Sequence, residues 1–208
     1  MKVAILVNGY YGNYNFCNDL NEYDTIICAD NGLFHADYLG IEPDYIIGDF
    51  DSLNKELLLK YEHVSKKTLS IQKDETDTEA AVDYAISLGA TEIVVYGGIG
   101  SRFDHSFANV SLLVKLATLG IKSSIKNAHN TIYLVINKIN IHSNKDTLVS
   151  LLPLSEKVTG VATTGLYYSL NNGSFELGKP YGISNFMTKN SATISLKTGK
   201  LLVILAID

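Results

Sequence analysis

The stretch 43-PDYIIGDFDS-52 decides the architecture. Its apolar run over Tyr45, Ile46 and Ile47 has strand length, stops at Gly48, and gives way to two acids two positions apart, Asp49 and Asp51. Three other runs share the form: KVAILV (2–7), DTIICAD (24–30) and TEIVVYGG (91–98). Continuous Val/Ile-rich runs suit parallel strands covered on both faces, where no polar alternation is needed. Helical segments lie between and after them: GLFHADYLG (32–40), KELLLKYEH (55–63), TDTEAAVDYAISLG (76–89) and FDHSFANVSLLVKLATLG (103–120). The third opens with Thr76 and Glu79 in capping-box spacing and closes at Gly89. Strands alternating with helices predict an α/β unit with an open, mostly parallel sheet and flanking helices.

The pattern changes near residue 125. NTIYLVI, KINIHS, DTLVSLLPL, KVTGVATTG and SATISLKTGKLLVILAID are short, β-branched and divided by turn residues. They predict an all-β unit, an antiparallel sandwich or barrel-like unit, with Thr198-Gly199 as a hairpin turn. The expected domains are therefore 1–125, α/β, and 126–208, all-β.

Composition narrows the function. The 208 residues are 46% hydrophobic and 19% charged, enough apolar material for a core. A net charge of -5 disfavours nucleic acid as a partner, since backbone phosphates call for clustered Lys and Arg. No apolar run reaches membrane-spanning length, and no charged n-region with an apolar h-region opens the sequence. Cys17 and Cys28 have no metal or redox spacing and read as buried thiols, so a reducing, cytoplasmic location is expected.

Ligands of open parallel sheets bind beyond the carboxyl ends of the strands. Asp30, Asp49, Asp51 and the Gly97-Gly98 turn all follow strand signals. If the chain stays extended past Gly48, Asp49 and Asp51 point to one side. Asp74 and Asp77 stand at a helix start, and Asp104 follows GGIGSR (97–102). Acids gathered without cations repel unless a cation joins them; Mg2+, held by one or two carboxylates, waters and substrate phosphates, suits the set. Arg102 and the glycine turn offer donors to phosphate, and His105 is the one histidine placed beside them. Acids for a metal and donors for phosphate are the equipment of phosphoryl or diphosphoryl transfer.

In order, ADNG (29–32), PDYIIGDFDS (43–52), KDETDTEAA (73–81), GGIGSRFDH (97–105), TTGLYYSL (163–170), GISN (182–185) and TGKLLVILA (198–206) resemble the thiamine pyrophosphokinase family across nearly the whole chain. The resemblance implies an α/β nucleotide-binding domain followed by a β-sandwich, and a homodimer with thiamine bound between subunits. It implies magnesium-dependent transfer of the terminal diphosphate of ATP to the hydroxyl of thiamine, giving thiamine diphosphate and AMP. Carried over by motif, Asp49, Asp51 and Asp77 are the metal and catalytic acids, with Asp104 beside them. Asp30, Asn31, Asp74, Arg102 and His105 are expected toward the nucleotide. Tyr168 is the aromatic face for thiamine, and Ser184 and Asn185 are its polar contacts; Tyr167 reads as an ordinary sheet residue. Asn31 stands where glycine is common, Ser101 where another glycine is frequent, and Phe186 where a polar residue is usual. Rival readings are a sensor that binds thiamine without turnover, a diphosphokinase for another heterocyclic alcohol, and a D-x-D phosphatase; the last normally carries its motif after the first strand.

Overall fold

The computed structural model describes residues 1–51, 53–69 and 75–207. The chain divides into two compact units, Met1–Ala128 and His129–Asp208.

The first unit holds strands β1 (Lys2–Leu6), β2 (Thr25–Ala29), β3 (Tyr45–Gly48), β4 (Ser65–Thr68), β5 (Glu92–Tyr96) and β6 (Lys122–Lys126). Helices α1 (Gly32–Leu39), α2 (Lys55–Lys60), α3 (Asp77–Ser87) and α4 (Phe103–Thr118) connect them. The strands pair in parallel in the order β6-β5-β1-β2-β3-β4. Every residue of β2 is buried, and so are the last four of β1. This is the two-sided cover that the continuous apolar runs predict. Two strands escape that reading. All four residues of β4 (SKKT) are exposed, and β6 (KSSIK) has one large apolar residue, Ile125. Neither carries the apolar signal by which a buried strand is recognised.

The helix ends follow local chemistry. Thr76 accepts a hydrogen bond from the Glu79 amide at 3.1 Å, capping α3, and Asn54 caps α2 through the Glu56 amide at 2.8 Å. Gly32 sets the approach of α1: a Cβ there would lie 2.0 Å from the Leu6 carbonyl oxygen, so only glycine lets this helix start against β1.

The segment from β1 to β2 is tied down by aromatic rings. Tyr11 stacks on His35 at 3.6 Å between centroids, its hydroxyl donates to the Tyr96 carbonyl at 2.9 Å, and Tyr14 is hydrogen-bonded to His35 Nδ1 at 2.8 Å. Asp19 accepts from Tyr96 at 2.7 Å and pairs with Lys126. Burial lowers the His35 pKa to about 4, against a smaller opposing effect of a hydrogen bond to the Gly9 backbone. The ring is therefore neutral in the folded chain over most of the pH range. Above pH 6.5 it is neutral in both states and costs nothing. As pH falls from 6.5 toward 4 the unfolded chain takes the proton first, and up to about 3 kcal/mol of stability is lost. Urea melts at pH 7.5 and 4.5 are expected to show this loss shrinking in His35→Gln. An equal loss in the variant would assign the effect to carboxylates instead.

The second unit contains β7 (Asn130–Val135), β8 (Lys138–His142), β9 (Leu148–Pro153), β10 (Lys157–Thr164), β11 (Gly173–Glu176), β12 (Asn185–Phe186), β13 (Ser191–Ser195) and β14 (Leu201–Ala206). One sheet runs β12-β9-β14-β7 and the other β11-β10-β13-β8, with antiparallel pairing throughout. Val135, Val149, Leu151, Leu201 and Val203 from the first meet Ile141, Val158, Val161, Phe175 and Ile194 from the second in one core. That is the expected sandwich. The expected hairpin at Thr198-Gly199 is not formed. β13 pairs with β8 and β10, whereas β14 pairs with β7 and β9, so this turn carries the chain from one sheet to the other. Gly199 holds φ +98°, and a Cβ there would meet the Lys157 carbonyl oxygen at 2.5 Å. The crossing is therefore tight against β10. Alternating runs either side of a Thr-Gly step do not distinguish a turn within a sheet from a crossing between sheets.

Candidate active site

A cleft of about 620 Å³ opens at the carboxyl ends of β1, β2 and β5. Its walls come from the loop after β1 (Val7 to Tyr10), from Ala29 and Asp30, from Glu75 to Thr78 at the start of α3, and from the Gly97–Arg102 turn with the first turns of α4. This is where ligands sit in open parallel sheets.

Glycines let the loops meet. A Cβ on Gly9 would lie 1.6 Å from the Gly97 carbonyl oxygen, so the ends of β1 and β5 touch backbone to backbone. The turn itself is braced. The Gly97 amide donates to the Lys126 carbonyl at 2.8 Å, and the Gly100 amide to Ser106 Oγ at 3.1 Å. Asn109 donates to the Gly98 carbonyl at 2.8 Å. Two of the N–H groups expected to face phosphate are thus committed to the protein, and a rigid turn remains beside Arg102.

Of the residues singled out from the sequence, Asp30, Asp77, Arg102 and His105 line this cleft. Asp77 is the first residue of α3, which packs on β1, β2 and β3. Asp30 sits at φ +45°, in the left-handed region, and its amide donates to the Ile47 carbonyl at 2.8 Å. Asn31, where glycine is common in the family, lies at φ -68° as the residue before α1, with its amide group donating to Asn8 Oδ1 at 3.3 Å. The positive φ falls one residue earlier, because the chain must turn sharply before α1 can start against β1.

Asp49, Asp51 and Asp104 are not among the lining residues. The chain does not stay extended past Gly48. Phe50 adopts φ +64°, and Asp49 Oδ1 accepts from the Asp51 amide at 3.2 Å, so the two acids form a local turn instead of a pair pointing one way. Among the described residues no three His, Cys, Asp or Glu side chains gather to hold a metal ion, so Asp49, Asp51 and Asp77 are not a preformed cage. Three carboxylates drawn together without a cation would repel. Asp104 turns to Arg102: Nε donates at 3.2 Å and Nη2 at 2.5 Å, a two-pronged pair exposed to water. The guanidinium holds the Asp104 carboxyl down to about 2. Asp74 lies outside the described residues.

In the second unit, Tyr168 and Tyr167 are both exposed. Tyr167 is no ordinary sheet residue. Its ring stacks on Phe186 at 4.6 Å and meets Tyr168 edge-on at 4.9 Å. Ser184 is exposed at φ +58°. Asn185 is buried, and its carboxamide is occupied by backbone: Oδ1 accepts from the Tyr168 amide at 3.0 Å and the Phe186 amide at 2.9 Å, and Nδ2 donates to the Tyr168 carbonyl at 2.9 Å.

Sequence reasoning missed Asn8, Gly9 and Tyr10. A signal exists, since KVAILV ends at Asn-Gly just as YIIG ends at Asp, but this loop carries no acid to mark it as a site.

Comparison with known proteins agrees with this layout. Residues 16–125 match the family model described as Thiamin pyrophosphokinase, catalytic domain, and residues 136–201 match Thiamin pyrophosphokinase, vitamin B1 binding domain. The thiamine pyrophosphokinase of Bacillus subtilis (strain 168) is 30% identical over 216 residues, which cover 100% of both chains. The crystal structure of thiamine pyrophosphokinase from Bacillus subtilis superposes with a TM-score of 0.89 at 26% identity, covering 100% of each chain. That from Geobacillus thermodenitrificans gives 0.86 at 29% identity, covering 100% of this chain and 98% of the other. The chain belongs to the thiamin pyrophosphokinase family and is an enzyme of diphosphate transfer to thiamine.

Proposed function

We propose that ATP is the donor and that the hydroxyethyl oxygen of thiamine attacks its β-phosphorus. The new bond joins that oxygen to phosphorus. The bond from the β-phosphorus to the oxygen bridging it to the α-phosphate breaks, and its electron pair leaves with AMP. The hydroxyl proton passes to a carboxylate, and Asp77 is the acid we assign, since it stands in the cleft with Asp30 and Arg102. That cleft, lined by Asp30 and Asp77 together with a braced glycine turn and Arg102, is the observation that carries the reading.

Magnesium fits this donor set because it takes only one or two carboxylates and completes its shell with water and phosphate oxygens. Asp77 would hold it, with Asp49 and Asp51 as the nearby acids of the family motif. Bound there it would neutralise charge on the diphosphoryl group. Arg102 binds phosphate oxygens, and Asp30, Asn31 and His105 face the nucleotide; Asp74 and Asp104 support them. The braced glycine turn forms a rigid wall beside the phosphates.

Thiamine lies on Tyr168, with Ser184 as a polar contact; a flat ring and a thiazolium cation both suit an aromatic face. The active form is a homodimer with thiamine between subunits, and the enzyme works in the cytoplasm. No described helix is long and apolar enough to cross a membrane.

Incubating the protein with ATP, magnesium and thiamine is expected to give thiamine diphosphate and AMP in equal amounts. ADP in place of AMP would overturn diphosphate transfer, and thiamine binding without AMP would leave only a sensor. Tyr168→Ala is expected to raise the thiamine KM by about tenfold, the scale of a lost aromatic contact, with the ATP KM little changed. Equal shifts in both constants would remove Tyr168 from the vitamin site.

A further inference from the structure

We infer that Asn185 is a positioning residue, one that fixes the aromatic surface for thiamine without touching the vitamin. The inference rests on Tyr168 being thiamine's stacking face. Tyr168 lies in the stretch between β10 and β11, outside both strands, so no strand ladder holds its backbone. Asn185 supplies what the ladder does not. One side chain accepts the Tyr168 N–H and donates to the Tyr168 C=O, as a neighbouring strand would. The same Oδ1 also takes the Phe186 N–H. Tyr167 is held alongside, its amide donating to the Phe186 carbonyl at 3.0 Å and its ring stacked on Phe186.

The consequence is a joined set of three rings. Phe186 backs Tyr167, and Tyr167 meets Tyr168 at an interplanar angle of 89°. Asn185 is 8% exposed while Tyr168 is 64% exposed. The carboxamide is thus buried against the backbone that carries this exposed ring, with donor and acceptor both engaged. Phe186 belongs to the same device: an apolar ring is what can stack beneath Tyr167. A carboxamide has the two opposite functions this clamp needs in one planar group; a carboxylate has only acceptors.

The test compares Asn185→Ala, Asn185→Asp and Tyr168→Ala. Steady-state kinetics is combined with amide hydrogen exchange over residues 166–170. In Asn185→Ala the thiamine KM is expected to rise about tenfold with kcat and the ATP KM within about twofold, and exchange at the Tyr168 amide is expected to quicken by about tenfold or more. Asn185→Asp keeps the two acceptor contacts and loses the donor, and it keeps the question open to measurement if the alanine variant does not fold. Its thiamine KM is expected to return toward wild type as pH is lowered, because a protonated carboxyl can again donate to the Tyr168 carbonyl. A Tyr168→Ala effect without one in the Asn185 variants overturns the positioning role and leaves the thiamine face standing. A fall in kcat or a matching rise in the ATP KM would mark a general structural role and also overturn it. If Tyr168→Ala leaves the thiamine KM unchanged, the thiamine face itself is wrong and the inference falls with it.

Discussion

Asp77→Asn is expected to lower turnover by about three orders of magnitude while the protein stays folded. Asp77 lines the cleft, and on the proposed reading this is where charge on the diphosphoryl group develops and the hydroxyl proton goes. Asparagine has nearly the same shape but can neither take that proton nor match a cation's charge. Thr76, not Asp77, caps α3, and loss of one negative charge from a first helical turn costs about 0.3–1 kcal/mol. A thermal melt within a few degrees of wild type, set beside the rate of AMP formation, checks both halves. Turnover above about a tenth of wild type would move the general base and metal roles to another acid.

Gly9→Ala is expected to have the larger structural effect. The added methyl would sit 1.6 Å from the Gly97 carbonyl oxygen and 2.7 Å from its carbon. Both are backbone atoms, so no side chain can rotate away. The loop after β1 and the turn after β5 must separate, and Tyr11, whose hydroxyl holds the Tyr96 carbonyl, must follow. A destabilisation of about 3 kcal/mol or more is expected, with loss of activity even in the folded fraction. Urea melts and AMP release measure the two effects. A variant as stable as wild type would show that the two loops do not meet as described.

The first unit was legible because its central strands are buried on both faces and therefore write unbroken apolar runs. β4 was not, since an exposed edge strand needs no apolar residue; Lys66 there donates to the Tyr61 carbonyl, and Lys67 lies over the Tyr84 ring. The site was legible as far as strand ends go. Asp30, Asp77 and Arg102 follow from where strands stop and helices start. Asp49 and Asp51 show the limit. A spacing of two implies a common side only while the backbone is extended, and the positive φ of Phe50 breaks that condition. Neither Asp49 nor Phe50 belongs to a residue type that announces a left-handed turn as glycine does. The Asn185 clamp was equally hidden, because GISN and TTGLYYSL are far apart in sequence and only the sandwich brings them together.

The crossing at Thr198-Gly199 bears on how the second unit assembles. β14 lies between β7 and β9, yet it comes after both of them and after the whole opposing sheet. Until it arrives, β7 and β9 have no common neighbour, and their apolar faces stay wet. Such pairings span long stretches of chain and close slowly. Closing the first sheet of this unit therefore waits for its last strand, and the pairing that completes it joins segments far apart along the chain.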